Sequence, residues 1–267
     1  MDPGGTSIEN VTVQAMNDPH VETLYYRVKH AEGVDYENAR RLEYENERFK
    51  VSIEKGSAQI TMKIHHASLE HARATVEPFL RAWELVAALE YRLGDFELVY
   101  ERADVIDRNP RPSTYTLHAE SGGIVITMGT VNLRVSRSKY PDPPNGIACD
   151  ADVDLLFHCY SQYRVGKRTL ADAAYFCLTV LERHNGRQGA TSRYMIAKPI
   201  LNTLGQLAGE KGGMEARKAI GAQTAFTSAE QQWLEEAMKR IIRRAAEVAH
   251  DPLVCRPQIT IADMPRL

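Results

Sequence analysis

The longest regular alternation of apolar and polar positions runs over residues 228–249. Apolar residues recur there in neighbouring pairs: Trp233/Leu234, Ala237/Met238, Ile241/Ile242, Ala245/Ala246 and Val248/Ala249. This is the 3.6-residue repeat of a helix that buries one side. Thr227 or Ser228 can act as its N-cap, and Glu230, three residues after Thr227, completes a capping box. Pro252 ends the pattern because the residue before a proline is excluded from the helical region. The pattern therefore predicts a long core helix.

The N-terminal half has a period of two instead, which is typical of strands with one buried face. The strands that it predicts lie near residues 24–30, 49–53, 60–64, 96–100, 115–117, 124–128 and 131–135. Lys55, Gly56 and Ser57 predict a hairpin turn between the second and third of these. One helix is predicted over residues 68–93, where Pro78 either kinks it or starts a second helix. Residues 21–140 thus predict an antiparallel sheet with one long helix across a face.

A proline-rich segment, YPDPPNG, follows at residues 140–146, and its composition predicts a linker over residues 141–146. After this linker the period changes to 3.6 and predicts a helical bundle over residues 147–267. Its helices are expected at residues 150–164, 169–183, 198–209, 213–220 and 228–249, before a short extended tail near residues 257–261. Residues 1–20 are polar and predict a disordered arm. The fold class is therefore α+β, with an N-terminal antiparallel sheet crossed by one long helix and a C-terminal helical bundle.

Charge and cysteine content indicate the cellular location of the protein but do not indicate a reaction or a ligand. The net charge is −2, divided as −5 over residues 1–148 and +3 over residues 149–267, which is too mild to indicate nucleic acid alone. No apolar run approaches the roughly 18–20 residues of a membrane helix. The start of the chain lacks the features of a signal peptide. The four cysteines lack the close spacing of a zinc site. We therefore expect a cytoplasmic protein that does not bind membranes.

The end of the long helix, RRAAEVAH, contains Arg244, five intervening residues and His250. This spacing resembles the signature of HEPN-type ribonucleases, over at most residues 150–250. The resemblance implies a dimer that pairs these two side chains across its interface and cleaves RNA without a metal. Here Ala245 follows the arginine, where that family often has a polar residue. On a continuous helix the two side chains would also point about 120° apart. Without the resemblance, Arg244 and His250 would be interpreted as basic residues at the solvent-exposed C-terminal end of a helix.

A second candidate is the span between Glu182 and Glu210, which contains no acidic residue. Its basic side chains could contact phosphates in a nucleic acid or another anion. They are Arg183, Arg187, Arg193 and Lys198, with His184 and Tyr194 among them. The alternative is an exposed connection between helices whose charges provide solubility.

Three other groups of residues give weaker indications of a metal site, a nucleophile or a cofactor site. His65, His66 and His71 could be metal ligands, but only Glu70 lies close as a carboxylate and no cysteine is near, so we expect ordinary loop histidines and no metal site. His158 and Cys159 are adjacent on a predicted helix and point about 100° apart, so they do not form a nucleophile pair. We expect Cys159 and Cys177 to pack as small apolar residues. The glycines at 205, 209, 212 and 213 are interpreted as helix capping, and no cofactor motif is present.

A broader resemblance covers residues 198–265, through the runs LNTLGQLAGEKGG, FTSAEQQWLEEAMKRIIRRAAEVA and ITIADMP. It is similar to the end of an uncharacterised family of bacterial hypothetical proteins, which implies a bacterial origin and a shared fold but no activity. The sequence therefore favours a non-enzymatic binding or assembly module that works with a protein partner or as a homodimer. The alternatives are a HEPN-like ribonuclease with Arg244 and His250 as its catalytic residues and, less favoured, a nucleic-acid-binding protein.

Overall fold

The computed structural model describes residues 17–109, 135–183, 185–211 and 225–267. These residues form an antiparallel five-stranded sheet and six α-helices, which confirms the α+β fold. Several predictions lie outside the described residues. They are the arm up to residue 16, the strands at 115–117 and 124–128, residues 131–134 of the next strand, the helix at 213–220, and residues 184, 212 and 213 of the candidate sites.

The strands and helices closely follow the two periodicities of the sequence. The strands are β1 (Pro19–Lys29), β2 (Val34–Asp35), β3 (Leu42–Glu45), β4 (Phe49–Glu54), β5 (Ser57–Met62), β6 (Glu97–Asp107) and β7 (Val135–Ser136). The helices are α1 (Leu69–Glu90), α2 (Ala151–Arg164), α3 (Leu170–Glu182), α4 (Gly186–Tyr194), α5 (Lys198–Glu210) and α6 (Ser228–His250), followed by a 3-10 turn at Ile261–Asp263. β1 begins two residues before the predicted start of the sheet. β2, β3 and α4 are elements that the sequence did not predict.

The sheet has the order β3-β4-β5-β1-β6, with every neighbouring pair antiparallel. β4 and β5 form the predicted hairpin, in which Val51 faces Ile60 across the strands. The hairpin turn places Lys55 and Gly56 at φ values of 49° and 74°, the left-handed conformation that a two-residue hairpin loop requires. β2 and β7 form a separate parallel pair.

Helix α1 crosses one face of the sheet and also belongs to the bundle. Ser68 caps it by accepting a hydrogen bond from the backbone N–H of His71 at 3.3 Å. Pro78 lies inside the helix without starting a second one. Trp83 is fully buried against the sheet, whereas Leu85 and Leu89 are buried in the core of the bundle. One helix therefore contributes to both cores.

The proline-rich segment is packed against the sheet and α1. Pro141 and Pro144 are buried. Tyr140 stacks on Tyr36 with ring centroids 5.0 Å apart, and its hydroxyl oxygen accepts a hydrogen bond from the Gly56 N–H at 2.9 Å. The indole N–H of Trp83 donates to the Pro141 carbonyl at 3.1 Å. The segment predicted to be a linker is therefore packed at its start, and its role as a boundary between two domains stays a prediction.

Helix α6 is the centre of the bundle. The side chain of Thr227 and that of Glu230 form the predicted capping box. Trp233 is 1% exposed, and the apolar stripe behind it packs against α1, α2, α3, α4 and α5. None of the helices in the described ranges is both long enough and apolar enough to cross a membrane.

Candidate functional site

A cleft of about 460 Å³ lies at the C-terminal end of α6, where the helix meets the end of the proline-rich segment and the tail of the chain. We call it the C-terminal cleft. It is lined by Asn145, Gly146, Arg244, Glu247, His250, Asp251, Val254, Arg256 and Pro257. The cleft therefore brings together the two residues of the HEPN-like motif.

The guanidinium of Arg244 is buried and is bonded through all three of its nitrogens. Nε donates to the Glu247 carboxylate at 2.8 Å, and Nη1 donates to the carbonyls of Tyr194 and Met195 at 3.1 and 3.2 Å. Nη2 donates to the Pro257 carbonyl at 3.0 Å. Arg244 is thus not the solvated residue of a helix end. It connects α6 to the α4–α5 connection and to the tail.

The tail pairs with the α4–α5 connection at Ile259, and Ile261, the end of the stretch predicted to be extended, begins the 3-10 turn. The Ile259 N–H donates to the Met195 carbonyl at 2.9 Å, and the Ala197 N–H donates to the Ile259 carbonyl at 2.9 Å. This short parallel pairing positions Pro257 to accept from Arg244.

A second arginine holds the turn after α6. Arg256 donates through Nη2 to the carbonyls of Glu247 and Asp251, at 2.5 and 2.7 Å, and through Nη1 to the Val254 carbonyl at 2.9 Å. A cation at this end of a helix also interacts favourably with the helix dipole. The Leu253 N–H donates to the Asp251 carboxylate at 2.9 Å, so the turn is fixed at several points.

The turn presents apolar side chains to solvent. We call residues 252–255 the C-terminal loop. Leu253 is 92% exposed and Val254 is 52% exposed, and Cys255 is also exposed. Single exposed apolar residues are ordinary on protein surfaces, but here they are consecutive and lie beside a cleft.

His250 is the last residue of α6 and is exposed, while Arg244 lies beneath the surface of the same cleft. A phosphate in the cleft could approach the His250 imidazole. It would meet an arginine whose three nitrogens already donate to Glu247 and to three backbone carbonyls. This geometry favours a structural role for Arg244.

The basic residues of the acid-free span do not form one uncompensated patch. Arg183 pairs with Asp152 at 3.1 Å, and Arg187 pairs with Glu182 at 2.6 Å. The Arg193 guanidinium lies over the Tyr194 ring, 5.2 Å from its centroid, and Lys198 is exposed in the first turn of α5. Arg193 and Lys198 remain as candidates for a phosphate contact. Residues 186–194 of the span form helix α4, where the sequence predicted a connection between helices.

His20 of β1 lies next to His65 and His66, the two histidines that precede α1. The His20 and His65 rings stack with centroids 5.2 Å apart, and the His66 N–H donates to His20 Nδ1 at 3.3 Å. Burial lowers the pKa of His20, and the charge of Arg108 lowers it further. Burial, with the charge of His65, lowers the pKa of His66. Across the described part of the chain, no three His, Cys, Asp or Glu side chains are arranged to hold a metal ion.

Cys159 is buried in the bundle, whereas His158 beside it is exposed. Arg168 donates to the Cys159 sulfur at 2.8 Å, but burial is the larger influence and raises the pKa of the thiol. Cys177 is fully buried, and burial raises its thiol pKa as well. Both cysteines therefore pack as apolar residues.

Two features of the structure have no counterpart in the sequence reasoning. Arg256 was not singled out, because its role depends on carbonyls that only the folded turn brings together. A polar groove between α3 and α5 was also missed. Its sequence signal is Gly205, which we interpreted as part of a capping cluster, although it lies in the middle of α5.

No family model, curated protein or solved structure matches this chain. The function of the C-terminal cleft is therefore inferred from the residues that line it.

Proposed function

We propose that this protein is a non-enzymatic assembly module that forms a homodimer through its C-terminal loop and C-terminal cleft. The observation that carries the proposal is the 92% exposure of Leu253 on a turn that Arg256 and Asp251 hold in place. An apolar side chain on a rigid turn loses little conformational entropy when it is buried by a partner.

A second copy of the chain is the partner that this surface fits best. In a two-fold contact both copies use the same surface patch, so every contact between two residues occurs twice. The loop and the cleft lie side by side and share Val254, so one copy can insert Leu253 into the cleft of the other and receive the same side chain in return. The fixed charges of the cleft, Arg244 and Arg256 against Glu247 and Asp251, balance, so two copies meet without net repulsion.

The test is the mass of the protein in solution as a function of concentration, measured by sedimentation or light scattering. Leu253→Glu and Val254→Glu should each weaken the dimer at least tenfold, which corresponds to about 1.4 kcal/mol. Val165→Glu is a matched control because Val165 is 55% exposed, close to the 52% of Val254, but lies after α2 outside the cleft. A monomeric wild-type protein, or equal effects of the two valine substitutions, would refute the proposal.

One observation favours the alternative of a HEPN-like ribonuclease, since Arg244 and His250 line the same cleft. A two-fold contact there would also bring the two His250 side chains towards each other. The engagement of Arg244 with backbone carbonyls argues against this alternative. We therefore expect no RNA cleavage by the wild-type protein in EDTA. Cleavage that disappears in His250→Ala, with the dimer and the melting temperature unchanged, would establish the ribonuclease.

The proposed setting of the module is the cytoplasm. Cys149, Cys159, Cys177 and Cys255 are all free thiols, which a reducing compartment preserves.

A further inference from the structure

The chain contains two Asn-Gly pairs, Asn145-Gly146 and Asn185-Gly186. An asparagine that precedes a glycine can react with its own backbone, because the glycine has no side chain to hinder the approach. Asn145 and Asn185 are both exposed. Asn145 and Gly146 line the C-terminal cleft, whereas the second pair lies at the start of α4. The same chemistry is thus placed in two different surroundings.

The pair at the cleft lies in an irregular part of the backbone and is free to react. Within the described part of the chain, neither the side chain of Asn145 nor the N–H of Gly146 forms a hydrogen bond. Gly146 has a φ of 65°, a conformation that glycine adopts without strain and that keeps larger residues out of this position. A Cβ atom on Gly146 would have no neighbour within 4 Å, so the space around this residue is open. Nothing in these surroundings opposes a reaction between the two residues.

The pair at the start of α4 is held by the helix. Asn185 is the N-cap residue of α4, and its carbonyl oxygen accepts a hydrogen bond from the Gly189 N–H at 3.2 Å. The Cβ atom of Asn185 lies so close to Gly189 that a Cβ atom added to that glycine would be 2.4 Å from it. Reaction requires the peptide between Asn185 and Gly186 to rotate, and this rotation breaks the hydrogen bond to Gly189. The helix therefore slows at Asn185 the reaction that is unopposed at Asn145.

We propose that Asn145 is a modification site, at which the chain deamidates spontaneously and adds a carboxylate to the C-terminal cleft. The backbone nitrogen of Gly146 loses its proton and attacks the side-chain carbonyl carbon of Asn145, a step that is favoured because both groups belong to the same chain. The bond from that carbon to Nδ2 breaks, ammonia leaves with the proton, and a cyclic imide remains. Water then opens the imide and leaves aspartate or isoaspartate. Water is the co-reactant, and no group is oxidised or reduced.

The new carboxylate changes the charge of the cleft. It stays in place, because Pro144 before it is buried and the Ala148 N–H after it donates to the Ala246 carbonyl at 3.0 Å. The fixed charges of the cleft, which balance before the reaction, then carry one net negative charge. Two copies that meet through their clefts would both carry this charge and repel each other. Deamidation therefore weakens the homodimer, a consequence that rests on the proposed function.

The experiment is peptide mapping by mass spectrometry of the full chain, incubated in mildly alkaline buffer and at high dilution so that no partner covers the cleft. We expect Asn145 to deamidate about fivefold faster than Asn185, which corresponds to about 1 kcal/mol of barrier, the contribution of one backbone hydrogen bond. In denaturant the two rates should become similar, because both sets of surroundings are lost. Equal rates in the folded protein, a faster reaction at Asn185, or the same ratio in denaturant would overturn the proposal.

Two variants test the consequence for assembly by sedimentation. Asn145→Asp should weaken the homodimer about threefold or more, through one new pair of like charges near the contact. Asn185→Asp is the matched control, because it adds the same charge at an exposed asparagine outside the cleft and should leave the dimer unchanged. A wild-type dimer that Asn145→Asp does not weaken, or that both variants weaken equally, would refute this consequence. A monomeric wild type would refute the homodimer instead, while the two deamidation rates still test the modification.

Discussion

The guanidinium of Arg244 donates through Nη2 to the carbonyl oxygen of Pro257 at 3.0 Å, thirteen residues further along the chain. The same side chain also bonds to Tyr194 and Met195, so one buried cation joins three segments of backbone. Its first role is therefore to hold the C-terminal cleft in shape.

Arg244→Met should destabilise the protein by about 3–5 kcal/mol, because the carbonyls of Tyr194 and Pro257 and the carboxylate of Glu247 lose the hydrogen bond from this buried guanidinium. Arg243→Met is the control, since Arg243 is exposed and pairs with Glu90 at the surface. An exposed ion pair contributes about 0–1 kcal/mol. Urea unfolding followed by circular dichroism measures both. Equal losses for the two variants would show that the buried contacts contribute nothing particular.

Trp233→Ala should cost about 3–5 kcal/mol, the usual range for removing a large side chain from a core. The apolar stripe predicted that Trp233 is buried, and the 1% exposure of this residue confirms it. Gln232→Ala changes the exposed neighbour and should alter the free energy of unfolding by no more than about 0.5 kcal/mol. A thermal melt of Trp233→Ala close to that of the wild type would contradict the assignment of this face to the core.

The packed proline-rich segment should resist proteolysis. Trypsin should cut slowly after Lys139, because Tyr140 is buried against Tyr36 and bonded to Gly56. Tyr140→Ala removes both contacts and should speed the appearance of the fragment that begins at residue 140. Tyr44→Ala, which removes a stacking partner of Phe79 elsewhere in the same core, should not. Rapid cleavage in the wild type would mean that the segment is a free linker.

Acid should destabilise the histidine cluster around His20. Folding lowers the pKa of His20 and His66, so below pH 6.5 the unfolded chain takes up protons that the native chain does not. Their stabilising contribution is therefore complete above pH 6.5 and is lost as the pH falls towards the lowered values. The charges of Arg108 and His65 reinforce this for His20, and that of Glu22 opposes it.

The measurement is the free energy of unfolding between about pH 5 and pH 8. The double variant His20→Asn with His66→Gln should have a flatter pH profile than the wild type. His158→Gln, which replaces an exposed histidine of α2, is the control for the loss of a histidine elsewhere in the protein. A wild-type profile that does not fall on acidification would contradict the pKa shifts.

Periodicity predicted the helices that bury one complete face. α6 follows from its capping box and its stripe, and the β4–β5 hairpin follows from alternation and from the turn at Lys55 and Gly56. α4 escaped because its sequence, GRQGATSRY, contains two glycines and several residues with low helix propensity. Tertiary packing of Ala190 and Tyr194 stabilises this helix, which a local pattern cannot reveal. β3 is short and at the edge of the sheet, where alternation gives little signal.

The sites were less predictable than the fold. Helix geometry separated the side chains of Arg244 and His250 by about 120°, but the burial of Arg244 depends on carbonyls from residues 194, 195 and 257. Arg187 was identified as a basic residue of the acid-free span, yet its fixed position depends on Glu182, Asn202 and the missing side chain at Gly205. Contacts between segments distant in sequence decide both cases.

The sharing of α1 between two cores has a consequence for synthesis of the chain on the ribosome. The sheet and α1 are complete by residue 107, but Leu85, Val86 and Leu89 are covered only when the bundle, ending with α6 at His250, has emerged. At about 5–20 residues per second, α1 precedes the end of α6 by roughly 10–30 s. During that interval the nascent chain exposes an apolar ridge, so a ribosome-associated chaperone that binds apolar segments should crosslink to α1 until α6 is made.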